Sequence, residues 1–169
     1  MIAETSRLIL TKFTLDDAPF FMELVNTPHW IKFIGDRNIR TLKDAEQKIK
    51  SGHFESYKSY GFGFYKVLLK EENNKVIGTC GLIKRDTLDD VDIGFAFLPN
   101  YESKGFGYES ARAVMKLAKN TFNLKRLVAI TNPENKKSIG LLEKLGLTFE
   151  KRIKPFEDDK ELLLFAKKL

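Results

Sequence analysis

Three consecutive strand-like runs, Gly61 to Leu69, Val76 to Ile83 and Val91 to Leu98, are separated mainly by Asn73-Asn74 and Asp89-Asp90. Such runs, rich in β-branched and aromatic residues and parted by Asn and Asp turns, predict an antiparallel meander. The third run ends at Pro99 and leads into Lys104-Gly105-Phe106-Gly107. An amphipathic helix follows, with Ala111, Val114, Met115 and Ala118 at i, i+3, i+4 and i+7. A chain built this way must set a helix N-terminus at the end of a sheet strand. There the first-turn N–H groups point outward and the helix dipole favours an anion.

The flanking segments extend this pattern into a mixed α/β fold. Arg7 to Phe13 reads as a strand, and Thr14 with Asp17 as the capping box of a helix carrying Phe20, Phe21, Leu24 and Val25. Asn26-Thr27-Pro28 is read as its end. A second helix is expected after Thr41, with Leu42, Ala45 and Ile49 on one side, fading near Gly52. Beyond the glycine loop come a strand (Arg126 to Thr131), a helix (Pro133 to Leu145, stopped by Gly146) and strands over Leu147 to Ile153 and Glu161 to Lys167. The expected order is β-α-α-β-β-β-α-β-α-β-β, a mixed α+β sheet in one domain over residues 1–169 with no repeat or linker.

Composition narrows the class. With 43% hydrophobic and 12% aromatic residues in 169, the chain can bury a core. It has no apolar run long enough for a membrane span and no basic-then-apolar leader. Cys80 alone excludes an internal disulfide, and His29 and His53 are too few for a histidine metal centre. These features predict a cytoplasmic protein, no metal and no membrane partner. The net charge is +6, but the lysines are spread along the chain and form no nucleic-acid-binding motif.

Two constellations carry chemistry. Ser110 stands where G-x-G-x-x-G needs its last glycine, and no Gly-Lys-Ser/Thr follows, so neither the dinucleotide nor the P-loop cradle is present. A shorter anion cradle remains at Ser103 to Tyr108. The second constellation is Asn132-Pro133-Glu134-Asn135-Lys136-Lys137-Ser138. Asn132 reads as N-cap with Pro133 at N1, while Asn135 and Ser138 lie three apart and turn toward one point.

In this order the motifs resemble the GNAT superfamily of acetyl-CoA-dependent N-acetyltransferases, and most closely its RimJ/RimL-like branch. The resemblance covers nearly the whole chain. Thr5-Ser6-Arg7-Leu8-Ile9-Leu10 with Thr14-Leu15-Asp16-Asp17-Ala18 is similar to that branch's opening, and Asp92-Ile93-Gly94-Phe95 to its fourth strand. Lys104-Gly105-Phe106-Gly107-Tyr108-Glu109-Ser110-Ala111 is similar to its cofactor loop, and Asn132 through Gly146 to its second signature. The resemblance implies transfer of an acetyl group to a primary amine of a small molecule or of a protein N-terminus such as a ribosomal protein's, and relatives are often dimers. It further implies that the backbone of Phe95, Ala96, Phe97 and Leu98 meets the pantetheine arm. Ser103, Lys104, Gly105, Phe106, Gly107 and Tyr108 would hold the pyrophosphate, with Asn135 and Ser138 near the thiol.

The proton chemistry is more open. Asp92 is a candidate base, directly or through water, where the family often has glutamate; the alternative is an exposed strand carboxylate. Glu55 is a second candidate. Leu142 occupies the position where many relatives carry an acidic tyrosine, which leaves Ser138 or a water as proton donor, against a purely binding or capping role for Ser138. His29 and Trp30 fall where the family builds its acceptor wall; for Trp30 ordinary core is the preferred reading. Tyr57, Tyr60, Phe62 and Phe64 are expected in the core, with the acceptor pocket as the alternative, Glu102 in solvent, and Cys80 buried and inert. A CoA-binding regulatory module without turnover is the competing reading.

Overall fold

The computed structural model describes all 169 residues. The chain runs β1 (Ala3–Glu4), β2 (Leu8–Lys12), α1 (Ala18–Val25), α2 (Pro28–Phe33), α3 (Leu42–Lys48), α4 (Glu55–Tyr60), β3 (Phe64–Leu69), β4 (Lys75–Ile83) and β5 (Asp92–Phe97). It continues with α5 (Phe106–Asn120), β6 (Arg126–Thr131), α6 (Lys136–Lys144), β7 (Thr148–Ile153) and β8 (Leu162–Lys168). All strands join one sheet in the order β1-β2-β3-β4-β5-β6-β8-β7.

The mixed α/β class and the meander hold. β3 to β5 pair antiparallel in sequence, and Asn73 and Asn74 take the positive-φ turn between β3 and β4. Along β3 burial alternates with period two: Tyr65, Val67 and Leu69 are buried, Phe64, Lys66 and Leu68 partly open. Against this sheet α5 lays Phe106, Ser110, Ala111, Val114 and Ala118, whose small members let the helix approach closely. Phe106, Ala111, Val114 and Ala118, with Leu8, Leu10, Ile77, Leu82, Leu127 and Leu142, belong to the main core of 22 buried residues. A second cluster, Phe13, Ala18, Phe21, Val25, Ile39, Ala45 and Ile49, holds α1 and α3.

Four local expectations are corrected. A short β1 precedes the first expected strand. Thr27-Pro28 starts a helix as well as ending one: the Thr27 hydroxyl caps the Trp30 N–H and Pro28 takes N1, so His29 and Trp30 lie on α2. The second expected helix does not fade at Gly52, because a π-helical turn over Ile49–Phe54 carries it on into α4. At α6 the cap is Asn135, whose side chain accepts the Ser138 N–H at 3.2 Å, while Asn132 accepts the Glu134 N–H in a local turn. The helix therefore starts at Lys136, after Pro133.

What positions the site is the parting of β5 and β6. The antiparallel β4–β5 ladder runs from Gly78↔Phe97 to Ile83↔Asp92, yet the parallel β5–β6 ladder has the single pair Asp92↔Val128. The Val128 N–H reaches Val91 O at 3.0 Å, and beyond that point the strands separate. Backbone groups alternate in direction along a strand. Phe95 and Phe97, in phase with Val91, therefore face the gap with N–H and C=O free for an added extended chain. Leu98 is out of phase, and its N–H is spent on Ile77 O at 2.9 Å.

Candidate active site

A groove of about 350 Å³ opens over the parted strands. Its walls include Phe95, Ala96, Phe97, Tyr101, Ser103, Gly105, Gly107, Tyr108 and Leu141. Ser103 (φ 58°) and Gly105 (φ 84°) are both left-handed, which curls the loop into a concavity at the start of α5. None of the N–H groups from Ser103 to Tyr108 donates to a protein acceptor. They are unspent donors at a helix dipole's positive end, the arrangement a pyrophosphate requires. A Cβ on Gly107 would stand 2.9 Å from Leu141 Cδ2, so a side chain there would have to displace the Leu141 side chain of α6. The Phe106 ring is buried in the core and Lys104 reaches over the Tyr101 ring, so these two offer the groove backbone alone.

The loop is braced from the N-terminus. Glu109, in the first turn of α5, accepts from Thr5 Oγ1 at 2.9 Å, Ser6 Oγ at 3.3 Å and Arg7 Nε at 3.1 Å. Arg7 also donates to Lys104 O at 3.2 Å. Thr5-Ser6-Arg7 thus clamps the cradle, a role that becomes visible only once β2 lies beside α5. Glu102 does not point to solvent as expected. It lies 3.9 Å from His29 Nδ1 on α2 and pairs with Lys137 Nζ on α6 at 3.5 Å.

The groove continues into a second cavity of about 320 Å³, and Trp30, Ile34, Phe95, Ala96, Asn135 and Ser138 line both. Trp30 also packs on the α1–α3 core, so core and wall describe the same residue. The Ser138 hydroxyl makes no hydrogen bond within the protein; only its N–H is engaged, by Asn135. Leu142 is buried and lines the second cavity, where its side chain has no proton to give.

Asp92 is no exposed strand carboxylate. It is 2% exposed, lines the second cavity, and accepts from Arg85 Nε at 2.7 Å. Burial pushes its pKa up to about 6, against the opposing pull of the Arg85 guanidinium. That places a carboxylate base near neutrality, where general-base catalysis is most effective. Sequence reading missed Arg85, although hairpin register contains the signal: Ile83 pairs with Asp92, so a basic residue two beyond Ile83 comes back over it.

Other candidates fall outside. Glu55 is exposed at the start of α4 and lines neither cavity. Phe62 is buried as expected, but Tyr60 is 48% exposed and Phe64 lines the second cavity. The Tyr57 hydroxyl accepts the Phe13 N–H and donates to Phe64 O, a structural role. Cys80 is fully buried, and burial pushes its thiol up to about 12, so it is no nucleophile at neutral pH.

Comparison with known proteins agrees with this geometry. Residues 7–148 match the family described as Acetyltransferase (GNAT) domain. The chain is 28% identical over 161 residues to the uncharacterized N-acetyltransferase p20 of Bacillus licheniformis, covering 95% of this chain and 89% of the relative. It is 27% identical over 146 residues to the uncharacterized N-acetyltransferase YnaD of Bacillus subtilis, covering 86% and 82%. Its fold superposes on the crystal structure of the ribosomal-protein-S5-alanine acetyltransferase of Vibrio fischeri with a TM-score of 0.82, at 22% identity over 98% of this chain and 95% of that one. A family match over most of the length, joined to an unspent anion cradle and an open strand edge, shows that this chain belongs to the GNAT family of acetyl-CoA-dependent N-acetyltransferases.

Proposed function

We propose that the chain transfers the acetyl group directly to a primary amine that enters through the second cavity, with Asp92 as base. The observation that carries this reading is the continuity of groove and cavity at Trp30, Phe95, Asn135 and Ser138, with Asp92 on the wall beyond. Bound acetyl-CoA supplies an activated thioester. The N–H groups from Ser103 to Tyr108 hold its pyrophosphate, and the open edge at Phe95 and Phe97 pairs with its extended amide arm.

The amine must lose a proton to attack, and Asp92, raised toward neutrality, takes it directly or through a water. Arg85 keeps the carboxylate aimed. The Ser138 hydroxyl, uncommitted at the junction, would relay a proton to the departing thiolate while taking one up from water. Apolar walls from Trp30, Ile34 and Phe95 exclude bulk water from the junction. Direct attack needs no acyl-enzyme, because orientation of two bound reactants supplies much of the acceleration, and Cys80 is in no state to form one. Action in the cytoplasm as a single catalytic domain fits this chemistry.

The test is CoA release by the purified chain across small amines and N-terminal peptides. Amine-dependent, saturable release is expected. Saturable acetyl-CoA binding with no release for any amine would favour the regulatory module instead.

A further inference from the structure

The charged side chains lining the second cavity are mostly cationic. Arg37, Lys48 and Arg85 are its cations, and Asp92 is the only acidic side chain lining it. Asp92 is committed to Arg85 through Nε alone, which leaves the terminal nitrogens of that guanidinium free. Neither Arg37 nor Lys48 has a carboxylate within ion-pairing distance anywhere in the fold. His53, 9% exposed, lines the same cavity with Nδ1 unpartnered, and the buried Nε1 of Trp30 is unpartnered as well.

Arg37 and Lys48 are both solvent-exposed. Partial burial and the nearby Arg85 still lower the Arg37 pKa, with Asp158 offsetting part of this from outside the cavity. A guanidinium held beside another, with no carboxylate of its own, is stabilised when an oxyanion arrives between them, and its planar fork suits carboxylate or phosphate. The cavity has the size of a small-molecule site. A polyamine or another polycation would meet three cations there and a single carboxylate.

We infer that the acceptor is a small amine bearing an oxyanion, carboxylate or phosphate, which Arg37 binds with Lys48 and the free nitrogens of Arg85 while the amine lies toward Asp92. The inference rests on the transfer reading above and narrows its substrate. It favours a compact zwitterion over a protein N-terminus, whose first residue has no free α-carboxylate.

Trp30 is the sole tryptophan and sits at the junction, so its fluorescence reports occupancy without turnover. The full chain is titrated with amino acids and aminoalkyl phosphates, each paired with its amide or dephosphorylated counterpart, and with spermidine and an alanine-starting peptide amide. At least one anionic amine is expected to change the fluorescence saturably. Neutralising its anion, or the substitution Arg37→Gln, should weaken binding at least about tenfold, while acetyl-CoA affinity stays unchanged. The pair that responds, carboxylate or phosphate, identifies the oxyanion. Equal binding of the neutral counterparts, tighter binding of spermidine or the peptide, no effect of Arg37→Gln, or no response to any anionic amine would each overturn the inference. Binding of an anionic amine without CoA release would sink the transfer reading and uphold the site. Release with neutral amines alone would do the reverse.

Discussion

Two buried titratable groups should give this protein opposite dependences of stability on pH. His53 is caged by Phe13, Phe21 and Phe64, at ring separations of 4.4, 5.2 and 6.4 Å. Burial lowers its pKa from 6.5 to about 4. Between these values the unfolded chain binds the proton and the folded one refuses it, so acidification costs stability. At about 1.4 kcal/mol per pH unit of displacement this amounts to ~3 kcal/mol. Asp92 runs the other way. Its pKa rises from 3.8 to about 6, so over nearly the same window the folded state binds the proton more readily, and acidification returns ~3 kcal/mol. In the native chain the two contributions nearly cancel. Denaturant unfolding from pH 7 to pH 4 should separate them. Asp92→Asn, which keeps an acceptor for Arg85, should lose ~3 kcal/mol on acidification relative to the native chain, and His53→Leu should gain a similar amount. Three parallel curves would refute the argument, because other groups contribute equally to all three proteins.

Further outcomes follow from the site. The acid limb of kcat/KM should fall near pH 6, set by Asp92, and Asp92→Asn should abolish that limb and lower kcat/KM by about a hundredfold or more; an unchanged profile would remove Asp92 from the reaction. Gly107→Val, which drives a side chain into Leu141, should weaken acetyl-CoA binding by more than about tenfold, read by calorimetry; native affinity would show that the loop is not the cradle. Ser138→Ala keeps the backbone N–H that Asn135 caps, so it should fold normally while kcat falls by about a hundredfold; native kcat would assign the proton to water. Cys80→Ala should leave kcat intact, and loss of transfer with retained folding would reopen a covalent route.

How much of this the sequence revealed depends on whether a feature is local. β6, read as Arg126 to Thr131, matches its observed bounds, because an apolar run between charged and turn residues needs no partner to be recognised. The capping box at Thr14 and Asp17 is likewise present, with the Thr14 N–H on Asp17 at 2.7 Å. Thr27-Pro28, read only as a helix end, also starts α2 for a physical reason: proline at N1 begins a helix as readily as it ends the one before. The continuation past Gly52 depends on tertiary packing of Ile49 and His53, which propensity does not contain.

The site divides in the same way. The glycine loop is legible because its conformation is written in its own residues. Asp92 was singled out, but its burial follows from β6 crossing beside it, and its partner Arg85 from hairpin register. Arg37 and Lys48 lie on a loop and on α3, distant in sequence from Asp92, and only the fold brings them to one cavity. Glu102, read as solvent-facing, finds Lys137 and His29 for the same reason.

The central claim is direct transfer between two reactants held together at the Trp30–Ser138 junction. Initial rates of CoA release, with acetyl-CoA and the best amine of the panel varied against each other, test it most directly. Amine-dependent rates whose double-reciprocal lines intersect are expected, as a ternary complex requires. Parallel lines, the mark of a covalent acetyl-enzyme, would contradict it.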